Sequence, residues 1–136
     1  VRVVDQKTIN SDVPPRWLFL LRISLAATVV ALIAGSLLPG TLKNVTHTEG
    51  TPHRFVHMLA FAVAGGLNRL LTRSWLRPAL LIALGLALEV AQHLFYGSPF
   101  EWRDVRDNAA GVGSGLLFIA LLLNRRFQKT EQEQGR

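Results

Sequence analysis

Apolar positions fall in four blocks separated by short polar stretches. The first block, residues 17–38, reads WLFLLRISLAATVVALIAGSLL and carries Arg22 as its only charge. The others cover residues 55–71, 78–96 and about 108–123. Blocks of this length, wound as helices, cross or nearly cross the roughly 30 Å hydrocarbon core of a bilayer. Lipid offers no partner to backbone N–H and C=O groups, and four segments cannot close a β-barrel, so the segments must be helical. The predicted fold class is therefore all-α, an integral membrane bundle of four transmembrane helices. A polar tail, residues 1–16, precedes the membrane domain of residues 17–123, and a second polar tail, residues 124–136, follows it.

Two features of this pattern need more than block length. The second block has 17 residues, about 25 Å at the helical rise, and Asn68 and Arg69 lie near its end, which leaves a short, tilted or partly re-entrant segment open. The first block exceeds the usual signal-peptide core and no small-residue cleavage site follows, so it is expected to be retained. The final stretch RRFQKTEQEQGR is polar and mixed in charge, which predicts fraying.

Composition changes the picture through charge. The net charge is +6 and the pI about 11.1, with 15 basic residues. Their positions sort by loop. If both termini and the middle loop are cytoplasmic, that side holds Arg2, Lys7, Arg16, Arg22, Arg69, Arg73, Arg77, Arg125, Arg126, Lys129 and Arg136. The other side holds only Lys43, Arg54, Arg103 and Arg106. This 11 to 4 division follows the positive-inside rule and predicts a multi-pass protein of the cytoplasmic membrane with both termini cytoplasmic. Nucleic acid is not an expected partner, because no basic stripe interleaved with aromatics occurs. With no cysteine in the chain, disulfides and thiolate metal sites are excluded.

Polar groups inside such helices are costly and mark paired or functional positions. Glu89 and Gln92 share a face of the third helix, and His53 and His57 share a face at the start of the second. Asp104, Asn108, Gly111 and Gly115 form a stripe along the fourth. The alternating direction of the helices brings all these polar ends to the outer side, which predicts a polar pocket opening outward. Each residue also has a structural reading. Glu89 can be a carboxyl paired with Arg54 or Arg103, and Asp104 can be the N-cap of the fourth helix with Asp107 at N3. Gly111 and Gly115 suit close helix packing. His53 and His57 have metal-ligand spacing with Glu89 or Asp104 as oxygen donors, against the alternative of solvated interfacial histidines. Ser114 has no base placed near it by this topology.

The stretch EVAQHLFYGSPFEWRDVRDNAAGVGSG, with Glu89, Gln92, Asp104, Asn108 and Gly111, closely resembles the signature half of the VanZ-like family of small membrane proteins. The segment HRFVHMLAF, with His57 and Phe61, is similar to the family's D-K-x-x-H-F-x-x-F segment, and SLLPG at residues 36–40 precedes it. The chain departs from the pattern in having His53-Arg54 where the family usually has Asp-Lys, and Ser98 where an Arg commonly follows the E-x-x-Q helix. Arg54, Arg103 or Arg106 is a candidate for the displaced cation. The family is named for a protein associated with reduced susceptibility to teicoplanin, a lipid-anchored glycopeptide acting on cell-wall precursors. The resemblance therefore implies a cell-envelope setting, with membrane lipid and an envelope lipid-linked precursor or glycopeptide as partners; it names no cofactor and no oligomeric state.

The expected function is binding or processing of the polar head group of a cell-envelope lipid or glycan precursor. In it Glu89 serves as acid, base or metal-side carboxylate and His57 as proton-transfer partner. Asp104 and Asn108 orient the ligand, Arg54 and Arg103 contribute charge, and Gln92 holds Glu89. The alternative from another class is a non-catalytic membrane scaffold or assembly factor whose polar cluster is structural. A small transporter fits less well, because the polar residues gather at one side.

Overall fold

The computed structural model describes residues 14–37, 51–72 and 74–134, without the side chains of residues 51–53, 126, 127 and 129–134. Residues 1–13 of the first tail, most of the loop between the first two helices and the His53 side chain thus lie outside the described residues. Among those described, the secondary structure is entirely helical: α1 Pro15–Ser36, α2 Thr51–Leu71, α3 Leu76–Tyr96 and α4 Trp102–Gln134.

Local chemistry accounts for most of the boundaries. Pro15 opens α1, a position where its missing N–H costs nothing. Gly97 closes α3 with φ of 64°, the left-handed geometry that glycine adopts without strain, and its N–H returns to the His93 carbonyl. Helix α2 starts at Thr51 rather than residue 55, so its 21 residues extend about 31 Å. Helix α4 differs most from the sequence expectation. It starts at Trp102 rather than about residue 108 and, instead of fraying after residue 123, continues to Gln134. The added turns contain charged residues that no apolar-block criterion would count, and Arg, Gln, Glu and Lys are good helix formers.

Three of the helices, Pro15–Ser36, Leu76–Tyr96 and the Trp102–Arg125 part of α4, are long and apolar enough to cross a membrane. Helix α2 is as long as α3 but carries His53, Arg54, His57, Asn68 and Arg69. It is the central element, touching α1, α3 and α4, whereas α1 and α4 do not meet among the described residues. The tightest packing joins α2 to α4 in parallel. Glycine makes that approach possible: a Cβ on Gly65 would stand 2.5 Å from the Val112 carbonyl oxygen, and one on Gly111 or Gly115 would collide with the Met58 or Ala62 carbonyl. The buried apolar core is small, formed by Leu32, Phe61, Ala64, Leu81 and Val112. Leu20, Ile23, Val30, Phe55, Leu59, Leu80, Phe118 and many other apolar side chains face outward. An outer surface this apolar belongs to a protein whose solvent is lipid.

Candidate functional site

The C-terminal ends of α1 and α3 and the N-terminal ends of α2 and α4 meet at one end of the bundle. Gln92 Nε2 donates to the Ser36 carbonyl at 2.8 Å, and the Tyr96 hydroxyl donates to the Leu37 carbonyl at 2.6 Å. Both links tie α3 to the last turn of α1. Helices α2 and α4 are joined by Arg54, whose Nη2 donates to Asp107 Oδ2 while its Nε lies 3.2 Å from Asp104 Oδ1. Arg106 adds a longer contact to the other oxygen of Asp107, at 3.4 Å.

Between α3 and α4 the chain turns sharply at Gly97, and the turn is fastened from two sides. His93 Nδ1 lies 2.7 Å from the Ser98 carbonyl oxygen. The backbone N–H of Glu101, the residue before α4, donates to Glu89 Oε1 at 2.8 Å. In a capping box the acid that satisfies this donor comes from the helix's own first turn; here it comes from a neighbouring helix. Glu89 therefore fixes where α4 begins. The N-cap expected at Asp104 is corrected accordingly: the helix begins at Trp102, which moves the cap position three residues back to Glu101, and the Asp104 N–H bonds back to the Glu101 carbonyl at 3.0 Å. Asp104 sits within the first turn, where an acid is still favoured by the helix dipole, and its carboxylate faces Arg54.

These elements enclose one small cavity. Helix α1 contributes Ser36, α2 contributes Arg54 and His57, α3 contributes Gly85, Leu88, Glu89 and Gln92, and α4 contributes Asp104, Asp107 and Asn108. Glu89 and Asn108 are buried, at 7% and 6% exposure. The free space is about 10 Å³, enough for a single water or one small polar group. Chemically, the lining offers a buried carboxylate, an imidazole, two amides and a guanidinium held between two acids. Such a set can accept or donate hydrogen bonds to one hydroxyl or amine. Through a single water it can also pass a proton between carboxylate and imidazole.

Six residues singled out in the sequence come together at this cavity: Arg54, His57, Glu89, Gln92, Asp104 and Asn108. Their pairings differ from those expected. Gln92 holds the end of α1 rather than Glu89, and Arg54 pairs with the two aspartates rather than with Glu89. Arg103 is exposed and does not line the cavity. Gly111 and Gly115 lie at the α2–α4 contact. Among the described residues no group of three His, Cys, Asp or Glu side chains has metal-holding geometry. Ser114 Oγ donates to the Ala110 carbonyl of its own helix at 2.7 Å.

Four lining residues, Ser36, Gly85, Leu88 and Asp107, were not anticipated as site residues. Asp107 stands three residues after Asp104, the interval that puts both on one helix face. Gly85, four residues before Glu89, makes room for Asn108: a Cβ there would stand 3.1 Å from Asn108 Nδ2 and 3.3 Å from Phe61 Cζ. A glycine inside an apolar helix carries a propensity cost, which is the sequence signal for such a close approach. Ser36 has no comparable signal in the sequence. Comparison with family models, with curated proteins and with solved structures gives no match for this chain.

Proposed function

We propose that the chain is a VanZ-like protein that crosses the cytoplasmic membrane four times, with both termini cytoplasmic. Its outward-facing polar cavity binds or processes the polar head group of a cell-envelope lipid or glycan precursor. The crossing by α2 is supported by chain direction. Helices α1 and α3 end at the same level, as the Gln92–Ser36 and Tyr96–Leu37 bonds require, so the chain between them has to return. Helix α2 is the described segment that makes this return, and a short turn leads from it into α3. Three of its polar groups are sheltered: Asn68 is buried and Arg54 and His57 line the cavity, while Phe55, Val56, Leu59 and Val63 face outward. The sorting of basic residues supports the orientation.

The observation that carries the functional reading is the meeting of Arg54, His57, Glu89, Asp104 and Asn108, from three helices, around one space at one end of the bundle. A buried carboxylate and an imidazole on one cavity are the groups that hydrogen-bonding or proton transfer at a head group requires. Glu89→Gln is the informative substitution, because glutamine keeps the acceptor for the Glu101 N–H and loses only charge and proton-carrying capacity. In a purified, lipid-reconstituted protein, Glu89→Gln and His57→Ala are expected to weaken binding of a lipid-linked envelope precursor at least tenfold, at unchanged folded yield. Wild-type binding in both variants rules the proposal out.

A second reading is favoured by a different observation: the cavity's polar groups already serve the fold. Arg54 bridges two helices, Glu89 anchors the start of α4, and Gln92 holds α1. In that reading the protein is a non-catalytic membrane scaffold or assembly factor. Glu89→Gln is then nearly silent, while Glu89→Leu, which removes the acceptor, lowers folded yield in detergent.

A further inference from the structure

At the opposite end of the bundle, a second and larger cleft of about 420 Å³ opens where the α2–α3 turn meets the middle of α4. Arg69, Ser74 and Trp75 form its rim, and Gly113, Leu116 and Leu117 form its wall. It has the size of a small-molecule site but, unlike the polar cavity, an apolar interior with polar groups only at one edge. Gly113 is the floor of this space: a Cβ built there meets nothing within 4 Å.

Among the described residues no acidic side chain pairs with the charge around the rim. No Asp or Glu occurs between Glu49 and Glu89, nor between Asp107 and Glu131, whereas Arg69, Arg73, Arg77, Arg125 and Arg126 all fall within these stretches. Among the described residues Arg69 has no ion-pair partner. Trp75, exposed beside it, is the kind of amphipathic ring that settles at head-group level. A cationic rim over an apolar slot matches a molecule with an anionic head and a hydrocarbon tail.

We propose that this cleft is a binding site for an anionic phospholipid, with the phosphate at Arg69 and an acyl chain along Gly113 and Leu117. A second copy of this chain is a poor occupant, because it would bring the same unpaired arginines to the contact. The site is separate from the polar cavity and does not depend on the function assigned there.

The test uses the full chain with Trp17→Phe and Trp102→Phe, leaving Trp75 as the sole tryptophan, in bilayer nanodiscs. Quenching of Trp75 fluorescence is measured with brominated-acyl phosphatidylglycerol and with brominated-acyl phosphatidylcholine. The anionic lipid is expected to quench at roughly fivefold lower mole fraction, the preference that about one arginine near the surface supplies. Arg69→Gln should abolish most of that preference. Gly113→Leu, whose Cβ enters open space and whose side chain extends into the slot, should reduce quenching by both lipids, with an unchanged circular dichroism spectrum. Equal quenching by the two lipids overturns the proposal. So does insensitivity to both substitutions, or a dimer that Gly113→Leu dissociates, which would assign the slot to a second copy.

Discussion

Arg54 illustrates how a charge can sit in the first turn of a helix of an apolar bundle without being left alone. Its guanidinium spans two carboxylates one helical turn apart, so the neighbouring helix supplies the counter-charges that lipid cannot. Asn68, near the far end of the same helix, is the contrasting case. It is 1% exposed, and neither its amide oxygen nor its amide nitrogen has a hydrogen-bond partner among the described residues. An unsatisfied buried amide costs about 1–3 kcal/mol, and an apolar group of similar shape removes that cost. Asn68→Leu should therefore raise the thermal unfolding midpoint in detergent, by the equivalent of about 1–3 kcal/mol. A lowered midpoint would mean that the amide has a partner which the side-chain geometry does not reveal. Asn68 stands out in the sequence as a polar group in an apolar block and Arg54 as a charge at its edge, but their partners do not. Spacing places Asp104 and Asp107 on one face; it cannot say that this face meets Arg54 across two helices.

Among the elements, the α2–α4 pair is where small residues decide geometry. Arg54 meets Asp107, Met58 meets Gly111, Ala62 meets Gly115 and Gly66 meets Ile119, a constant offset that is the signature of two parallel helices in register. The approach is close enough that Gly65 has no room for a methyl group. Gly65→Ala should lower stability by about 1–3 kcal/mol, the usual cost of overpacking, read as a drop in the unfolding midpoint in detergent. Gly113→Ala is the matched control, since its Cβ enters open space; helix propensity alone should make it neutral or slightly stabilising. Equal effects at the two positions would contradict the packing described. The glycine stripe and the helix count were legible from spacing and apolar block length. The start of α4 was not, because the turns from Trp102 to Asp107 are charged and the acceptor for the N–H just before them comes from Glu89 on another helix. Local composition carries no trace of a cap supplied across the bundle.

For the whole molecule, the proposed orientation rests on two independent lines that single-cysteine labelling can separate. Helix α3 is long and apolar enough to span, so Ser74 and Ser98 at its two flanks belong on opposite sides of the membrane. Which side is which depends on charge alone: the Ser74 end carries the arginine-rich turn, and that end should be cytoplasmic. Whether α2 also crosses is a question of chain path, and the first residue of α2, Thr51, answers it. The chain has no native cysteine, so each substitution reports singly. With a membrane-impermeant maleimide on intact cells, Ser98→Cys and Thr51→Cys should label, and Ser74→Cys should label only after permeabilisation. Labelling of Ser74→Cys from outside, with the other two protected, would invert the protein and turn its polar cavity toward the cytoplasm, away from any extracytoplasmic envelope precursor. Labelling of Thr51→Cys on the same side as Ser74→Cys would instead make α2 re-entrant. That outcome would conflict with the in-register Arg54–Asp107 and Gly66–Ile119 contacts between α2 and α4.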